Sequence, residues 1–375
     1  VAVLVAGDRF AIDMDNLGFG PIVSNVYQFG VTNLIYATVG DTRDTVYGTF
    51  SFDAERFVAG GVITHIREDV FGFEHFDLSD FSISATAFAK DPNGSLAIIM
   101  QGDDRITGAS LDDNLFGADG NDTINGGGGF DTILGGAGND VIASGELSGV
   151  GRAVLNGETG DDQITGGIGG DTISGGDGSD TVTAGAGDDI VSGGEGTNYL
   201  RGEDGNDTIT GGSAFDDING NAGNDVLHGG GGNDWVVGGK DNDSQAGGDG
   251  DDVVWGNLGA DTLDGGDGND QVRGGQGDDV LTGGAGDDFI SGDRGNDTES
   301  GGAGADVFHT SHDAGIDRVL DFHLAEGDRV MLDPGTTYTA SQVGADTVID
   351  FGGGNEMILV GVQYSTLTPG WIFGN

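Results

Sequence analysis

The chain of 375 residues has no cysteine, so a disulfide framework and thiol chemistry are both excluded, while an oxidising exterior stays permitted. Positive charge is nearly as scarce: 13 Lys or Arg face 64 Asp or Glu, for a formal net charge of −51. Such a surface argues against nucleic acid or an anionic membrane as a direct partner. The only lysines are Lys90 and Lys240, which removes phosphate-binding loops. Neither His-Glu-x-x-His nor Gly-x-Ser-x-Gly occurs, so the zinc-protease helix and the simple lipase or esterase nucleophile are absent as well. No apolar run approaches the length of a membrane span. The opening segment, residues 1–7, is short and has no basic flank, and it reads as a strand rather than a signal peptide. Because the chain opens on Val1 and not on methionine, processing or a missing upstream portion is expected.

What the chain does have is glycine, 79 residues of it. Glycine and acid in these amounts suggest disorder unless they are ordered in sequence. Here they are. From residue 99 to 309 the pattern Gly-Gly-x-Gly-x-Asp-x-apolar-x recurs, most cleanly in Gly265–Arg273, and a period of nine signals a parallel β-solenoid. An insertion of four residues, 144–147, interrupts the frame. Counted through it, there are 23 repeats, and the Asp position is Asp in all but two, Ala153 and Asn198. The apolar position fails only at Gln245 and Glu299. Leu111, Ala214 and Asp241 replace the glycine two before the Asp.

The spacing has a direct physical reading. Gly-Gly-x-Gly-x-Asp turns the chain, glycine being needed where φ is positive or neighbouring turns approach closely. The remaining x-apolar-x forms a short strand with its middle side chain inward. Two repeats then close one coil, and each strand pairs with the strand two repeats on. One apolar residue per repeat contributes on the order of 2 kcal/mol of burial, whereas ordering nine backbones costs on the order of 10 kcal/mol. Stacking also aligns the Asp residues in two rows. One row is Asp104, Asp122, Asp140, Asp162, Asp180, Asn198, Asp216, Asp234, Asp252, Asp270, Asp288 and Asp306. The other is Asp113, Asp131, Ala153, Asp171, Asp189, Asp207, Asp225, Asp243, Asp261, Asp279 and Asp297. Bare carboxylates at ~5 Å repel by about 1 kcal/mol in water and by about 3 to 4 kcal/mol at an effective dielectric of 20. A divalent cation between turns reverses that sign, and turn carbonyls add hard oxygen ligands. The 21 Asp residues of the two rows are therefore the candidate calcium ligands, for up to about 20 ions, with folding and metal binding coupled. Weak or empty slots are expected beside Ala153 and weakened ones beside Asn198.

These repeats resemble the RTX (repeats-in-toxin) hemolysin-type calcium-binding nonapeptides. Asp317-Arg318-Val319-Leu320-Asp321-Phe322 and Asp328-Arg329-Val330-Met331-Leu332 likewise resemble the C-terminal region of RTX exoproteins. The resemblance implies an all-β fold, a right-handed parallel β-roll with two repeats per coil and β-rich capping domains. It also implies export through a type I system from a Gram-negative cell and folding outside it, where calcium is plentiful. The expected domains are a β-rich N-terminal domain (1–98), the calcium-binding roll (99–309), and a C-terminal β cap with the secretion signal (310–375). Within the first, residues 9–14, 49–53 and 61–66 alternate as strands, 82–90 is a short helix candidate, and 91–94 is a turn.

Other residues carry weaker signals. His309 and His312 form a metal pair or, more simply, a solvated loop; Glu68 and Glu74 are catalytic candidates or ordinary surface acids. Trp235 and Val237 flank inward Val236, and Val253 and Trp255 flank inward Val254 on the neighbouring strand. All four should face outward, bordered by Asp217, Asn219, Gln271 and Arg273, as a contact surface for a partner or as a patch packed under a terminal domain. The expected function is a secreted, non-enzymatic calcium-binding protein, structural or adhesive, assembling through self-association or on a cell surface or matrix. The alternative is the export module of a secreted hydrolase, toxin or polysaccharide-modifying enzyme.

Overall fold

In the computed structural model, residues 103–108, 112–145, 151–311 and 314–374 are described in full, together with the backbone of the strands between Asn33 and Ile98. The expectations for residues 1–7, 9–14, 82–87, 91–94, Leu111, His312 and the side chains of Glu68 and Glu74 lie outside the described residues. The chain forms two compact units, Val1–Thr181 and Val182–Asn375. Among the described residues both are built of strands, and the single helical element is a 3-10 turn at Tyr364–Thr366.

The first unit begins with an antiparallel meander of strands Asn33–Val39, Thr42–Phe50, Gly61–Val70 and Phe73–Ser79. Its last strand pairs antiparallel with Arg105–Gly108, the first strand of the repeats. A separate two-stranded pairing joins Phe88–Lys90 and Leu96–Ile98. From there the pairing is parallel. Asn114–Asp119, Thr132–Ala137 and Val154–Thr159 form one ladder, and Arg105–Gly108, Thr123–Asn125 and Val141–Ala143 another. The register places Ile133 beside Leu115, eighteen residues away, and beside Leu155, twenty-two away. Inward side chains thus stay inward on both sides of the insertion, whereas any odd slip in register would turn them outward.

The second unit is likewise built of two parallel ladders with an eighteen-residue register, alternate repeats stacking as in Leu227, Gln245 and Leu263. The inward residue of each repeat is buried throughout both units, from Ile106 to Phe308. The strands are longer than the three residues the pattern suggested. Most run six residues, as in Val280–Ala285, because the second glycine and the residue after it pair across coils as well, Gly284 with Gly266 and Ala285 with Asp267. Only Gly-x-Asp is left as the turn proper. Its glycine is required: Gly268 has φ 142°, and a Cβ there would overlap the Gly250 carbonyl of the coil before.

After Phe308 the coils close over an aromatic core. Phe308 packs tilted on Phe322 and Phe322 edge-to-face on Trp371, at centroid separations of 6.1 and 6.4 Å. Ile316–Val319 and Arg329–Leu332 extend the two ladders, pairing in parallel with Asn355–Leu359 and Ile372–Gly374. Thr339–Val343, Asp346–Gly352 and Asn355–Leu359 then form an antiparallel meander. The parallel ladder ends on a hairpin, which leaves no repeat edge bare at that point.

Candidate metal centre

All 21 Asp residues of the repeats are buried, none more than 6% exposed. Two features of the turn hold them there. Beyond the first coil, the Oδ1 atoms along the rows accept a hydrogen bond from the main-chain N–H of the matching residue one coil earlier, donated by Asp104 to Asp122 at 2.7 Å, by Asp234 to Asp252 at 2.6 Å and by Asp288 to Asp306 at 3.0 Å. Where the residue before the Asp is Asn or Asp, its side chain anchors a second ladder in the opposite direction, accepting from the N–H of the matching residue one coil on, as Asp103 does from Asn121 and Asp251 from Asn269, both at 2.9 Å. That role for Asn or Asp at the position before the Asp was missed in the sequence, although the recurring Asn-Asp and Asp-Asp dipeptides were its signal.

The Oδ2 atom points the other way. It fills the space beside the first glycine of its own repeat, where a Cβ would otherwise sit, and the carbonyl oxygen of the equivalent glycine one coil on faces the same space. Asp252 Oδ2 and Gly265 O meet in this way beside Gly247, as Asp122 Oδ2 and Gly135 O do beside Gly117. In Asp122, Asp140 and Asp162 of the first unit, and in Asp216, Asp234, Asp252, Asp270, Asp288 and Asp306 of the second, this oxygen is buried and has no hydrogen-bond partner. Buried carboxylate oxygens without donors are costly. Their electrostatics agree. Burial alone raises Asp216 to about 6, against hydrogen bonds from Asn198. Burial first, and neighbouring carboxylates second, raise Asp104, Asp207, Asp234, Asp252 and Asp270 to about 6, against the favourable main-chain hydrogen bond that all but Asp104 accept. Asp162, Asp279 and Asp288 rise to about 7 and Asp243 to about 8 for the same reasons.

Hard anionic and carbonyl oxygens, aligned and starved of protons, are the donor set a calcium ion requires. Among the described residues no three His, Cys, Asp or Glu side chains converge on one point. An ion held here would therefore rely on one or two carboxylates and on main-chain oxygens, and so on the turn geometry itself.

The repeats match the family model of the RTX calcium-binding nonapeptide repeat over residues 100–146, 148–245 and 246–308, more than half of the chain. The chain belongs to the RTX calcium-binding repeat family. No curated protein matches. Among solved structures, the extracellular lipase LipA from Serratia marcescens is similar over 52% of this chain and 39% of the lipase, at 18% identity and a TM-score of 0.22. The chain thus spans well under half the length of that protein.

Two positions of the RTX rows depart from Asp. Ala153 keeps the main-chain half of the ladder, donating to Asp171 Oδ1 at 2.7 Å, but brings no carboxylate of its own. Asn198 places Nδ2 beside Gly193, where the Asp residues place Oδ2, and donates from it to Gly196 O at 3.2 Å. Two further residues extend the rows beyond the repeats: Asp317 Oδ1 accepts from Asp297 N–H at 3.3 Å, and Asp328 Oδ1 from Asp306 N–H at 3.1 Å, both buried. Spacings of 20 and 22 in place of 18 hid them, although both open Asp-Arg-Val segments. Asp321 caps the last coil, accepting from the N–H groups of Gly301 and Gly302 and from Ser300 Oγ.

The remaining candidates separate by environment. His309 Nδ1 lies 3.0 Å from Ser291 Oγ and its Nε2 lies 3.3 Å from Asp333, a local contact within the last coil. Trp235 and Trp255 are brought together with ring centroids 5.6 Å apart at 82°. Trp235 is exposed, while Val237, Val253 and Trp255 are half-buried on the outer face. The register sets Trp235 beside Asp217 and Trp255 beside Arg273.

Proposed function

We propose that at neutral pH this RTX array folds only when calcium occupies the rows of Asp Oδ2 atoms, and that the 21 repeat Asp residues, extended by Asp317 and Asp328, supply its side-chain ligands. The observation that carries the reading is that the Oδ2 atoms of Asp122, Asp140, Asp162, Asp216, Asp234, Asp252, Asp270 and Asp288 are buried without donors and each faces a main-chain carbonyl beside a glycine. The slots adjoining Ala153 have a carboxylate from one coil only. RTX membership implies secretion, and the protein acts outside a Gram-negative cell as a structural or adhesive element, without catalysis of its own. Its domains follow the sequence: a β-rich segment to residue 98, the roll to 309, and a cap with the export signal from 310. No helix among the described residues is long and apolar enough to cross a membrane.

Self-association is the partner mode this reading favours, with Trp235, Val237, Val253 and Trp255 as the contact surface. A calcium titration followed jointly by circular dichroism and sedimentation tests both parts. A β signal that appears with calcium, and a sedimentation coefficient that then rises with protein concentration, supports them. Full β structure in chelator at pH 8 overturns the first; a calcium-loaded monomer at every concentration overturns the second.

A further inference from the structure

Gln245 and Glu299 stand where the other repeats carry an apolar residue, and both are buried, at 3% and 0% exposure. Their neighbours along the ladder are apolar: Leu227 and Leu263 flank Gln245, and Leu281 and Val319 flank Glu299. An amide or a carboxylate in such surroundings is a defect unless something satisfies it.

Both side chains leave the core in the same direction. Gln245 Nε2 lies beside Gly238, in the space a Cβ would fill, and Asp243 Oδ2 occupies that space too. Glu299 reaches the equivalent glycine of its own repeat, where Oε1 accepts from Gly292 N–H at 2.9 Å and Asp297 Oδ2 fills the space beside it. In each repeat, then, a second polar side chain runs to the pocket that elsewhere receives the Asp alone. The atoms delivered there have no partner: Gln245 Oε1 and Nε2, Glu299 Oε2, Asp243 Oδ2 and Asp297 Oδ2 are all buried without a hydrogen bond. With neither end of the Gln245 amide engaged, a half-turn that presents Oε1 to the pocket breaks no hydrogen bond.

We propose that Gln245 and Glu299 are side-chain ligands to divalent cations held at Asp243 and Asp297. They supply from the strand an oxygen that other repeats take from main chain or solvent, neutral in the first slot and anionic in the second. The inference rests on the calcium reading above, and it gives the two off-pattern repeats a shared purpose: a hydrophobic contact is exchanged for a better-ligated ion.

The test sets two opposite signs against each other. Gln245→Leu and Glu299→Leu restore the apolar pattern. If the polar residues are only core defects, both variants fold at lower calcium than the wild type. As ligands, they require more calcium, with the circular dichroism midpoint rising by about threefold or more and one ion fewer bound at saturation by equilibrium dialysis. Gln245→Glu and Glu299→Gln guard against a leucine variant that fails to fold. An anionic ligand at 245 lowers the midpoint and loss of charge at 299 raises it, whereas a core defect gives the reverse in each case. Unchanged midpoints and ion counts overturn the proposal, as does any shift of the reverse sign. If the wild type itself shows no calcium-dependent folding, the calcium reading fails; if it does and the variants move the wrong way, only the role of these two residues fails.

Discussion

Replacing Asp252 in two ways separates what its two carboxylate oxygens contribute. Oδ1 accepts from the buried Asp234 N–H at 2.6 Å, and Oδ2 faces Gly265 O beside Gly247. Asp252→Asn keeps an acceptor for Asp234 and puts an NH2 group where the cation would bind. Asn198 shows that this side chain fits, with its Nδ2 in the same place. Asp252→Ala removes both functions. Loss of one ion present at a hundred times its dissociation constant costs about 2.7 kcal/mol, and an unsatisfied buried N–H costs about 1–3 kcal/mol more. In saturating calcium, denaturant unfolding should rank wild type above Asn and Asn above Ala, with steps near those values. In chelator, where the fold is favoured only at low pH, β structure of the Asn variant should persist to higher pH than that of the wild type, because burial raises the Asp252 carboxyl to about 6 and its ionisation leaves an uncompensated charge. Equal stability of Asn and wild type in calcium, with an unchanged ion count, would refute the assignment of Oδ2 to the metal.

Acidity should partly replace calcium. Row carboxyls such as Asp104 and Asp243 rise from an ordinary value of 3.8 to folded values of about 6 and about 8, so the folded metal-free chain binds more protons than the unfolded chain between those limits. Stability without metal is therefore greatest below about pH 4 and is lost as pH rises toward 8; circular dichroism in chelator should show more β structure at pH 4.5 than at pH 8, and no gain would count against the burial argument. Conversely, adding calcium at about pH 5 to weakly buffered protein, where the folded metal-free chain keeps its raised carboxyls protonated, should release protons, measured as a fall in pH. Gly268→Ala should destabilise the calcium-loaded roll by about 1–3 kcal/mol or more through positive φ and the clash with Gly250 O. Gly344→Ala, also at positive φ but with open space around it, should cost about 1 kcal/mol, a difference thermal melting resolves. Replacing Trp235 and Trp255 together by Ser should leave the calcium midpoint in place and abolish concentration-dependent sedimentation, since their rings meet on the outer face.

Much of the roll was legible in the sequence because a nine-residue period repeats the same local decision 23 times. Glycine spacing fixed the turns, the residue two after each Asp fixed the core, and the apolar pattern survived the insertion at 144–147 because the frame resumed in phase. The ends were harder to read. Asp317 and Asp328 join the rows at irregular spacings, and recognising them needed the coils to be stacked. The burial of Phe308, Phe322 and Trp371 against one another is likewise a contact between segments far apart in the chain.

The sequence by itself determined the coil, the strand register and the identity of the acidic rows, since each depends on residues within one or two periods. Tertiary structure alone decided how each carboxylate divides its work, with Oδ1 given to a main-chain N–H of the preceding coil and Oδ2 left facing a carbonyl of the next. It also decided that Gln245 and Glu299, which read as errors along the chain, turn out of the core toward the same glycine pockets as the Asp residues. The reason is common to both: a periodic sequence states what each repeat contains, but the direction in which a side chain leaves the strand depends on what the neighbouring coil presents to it.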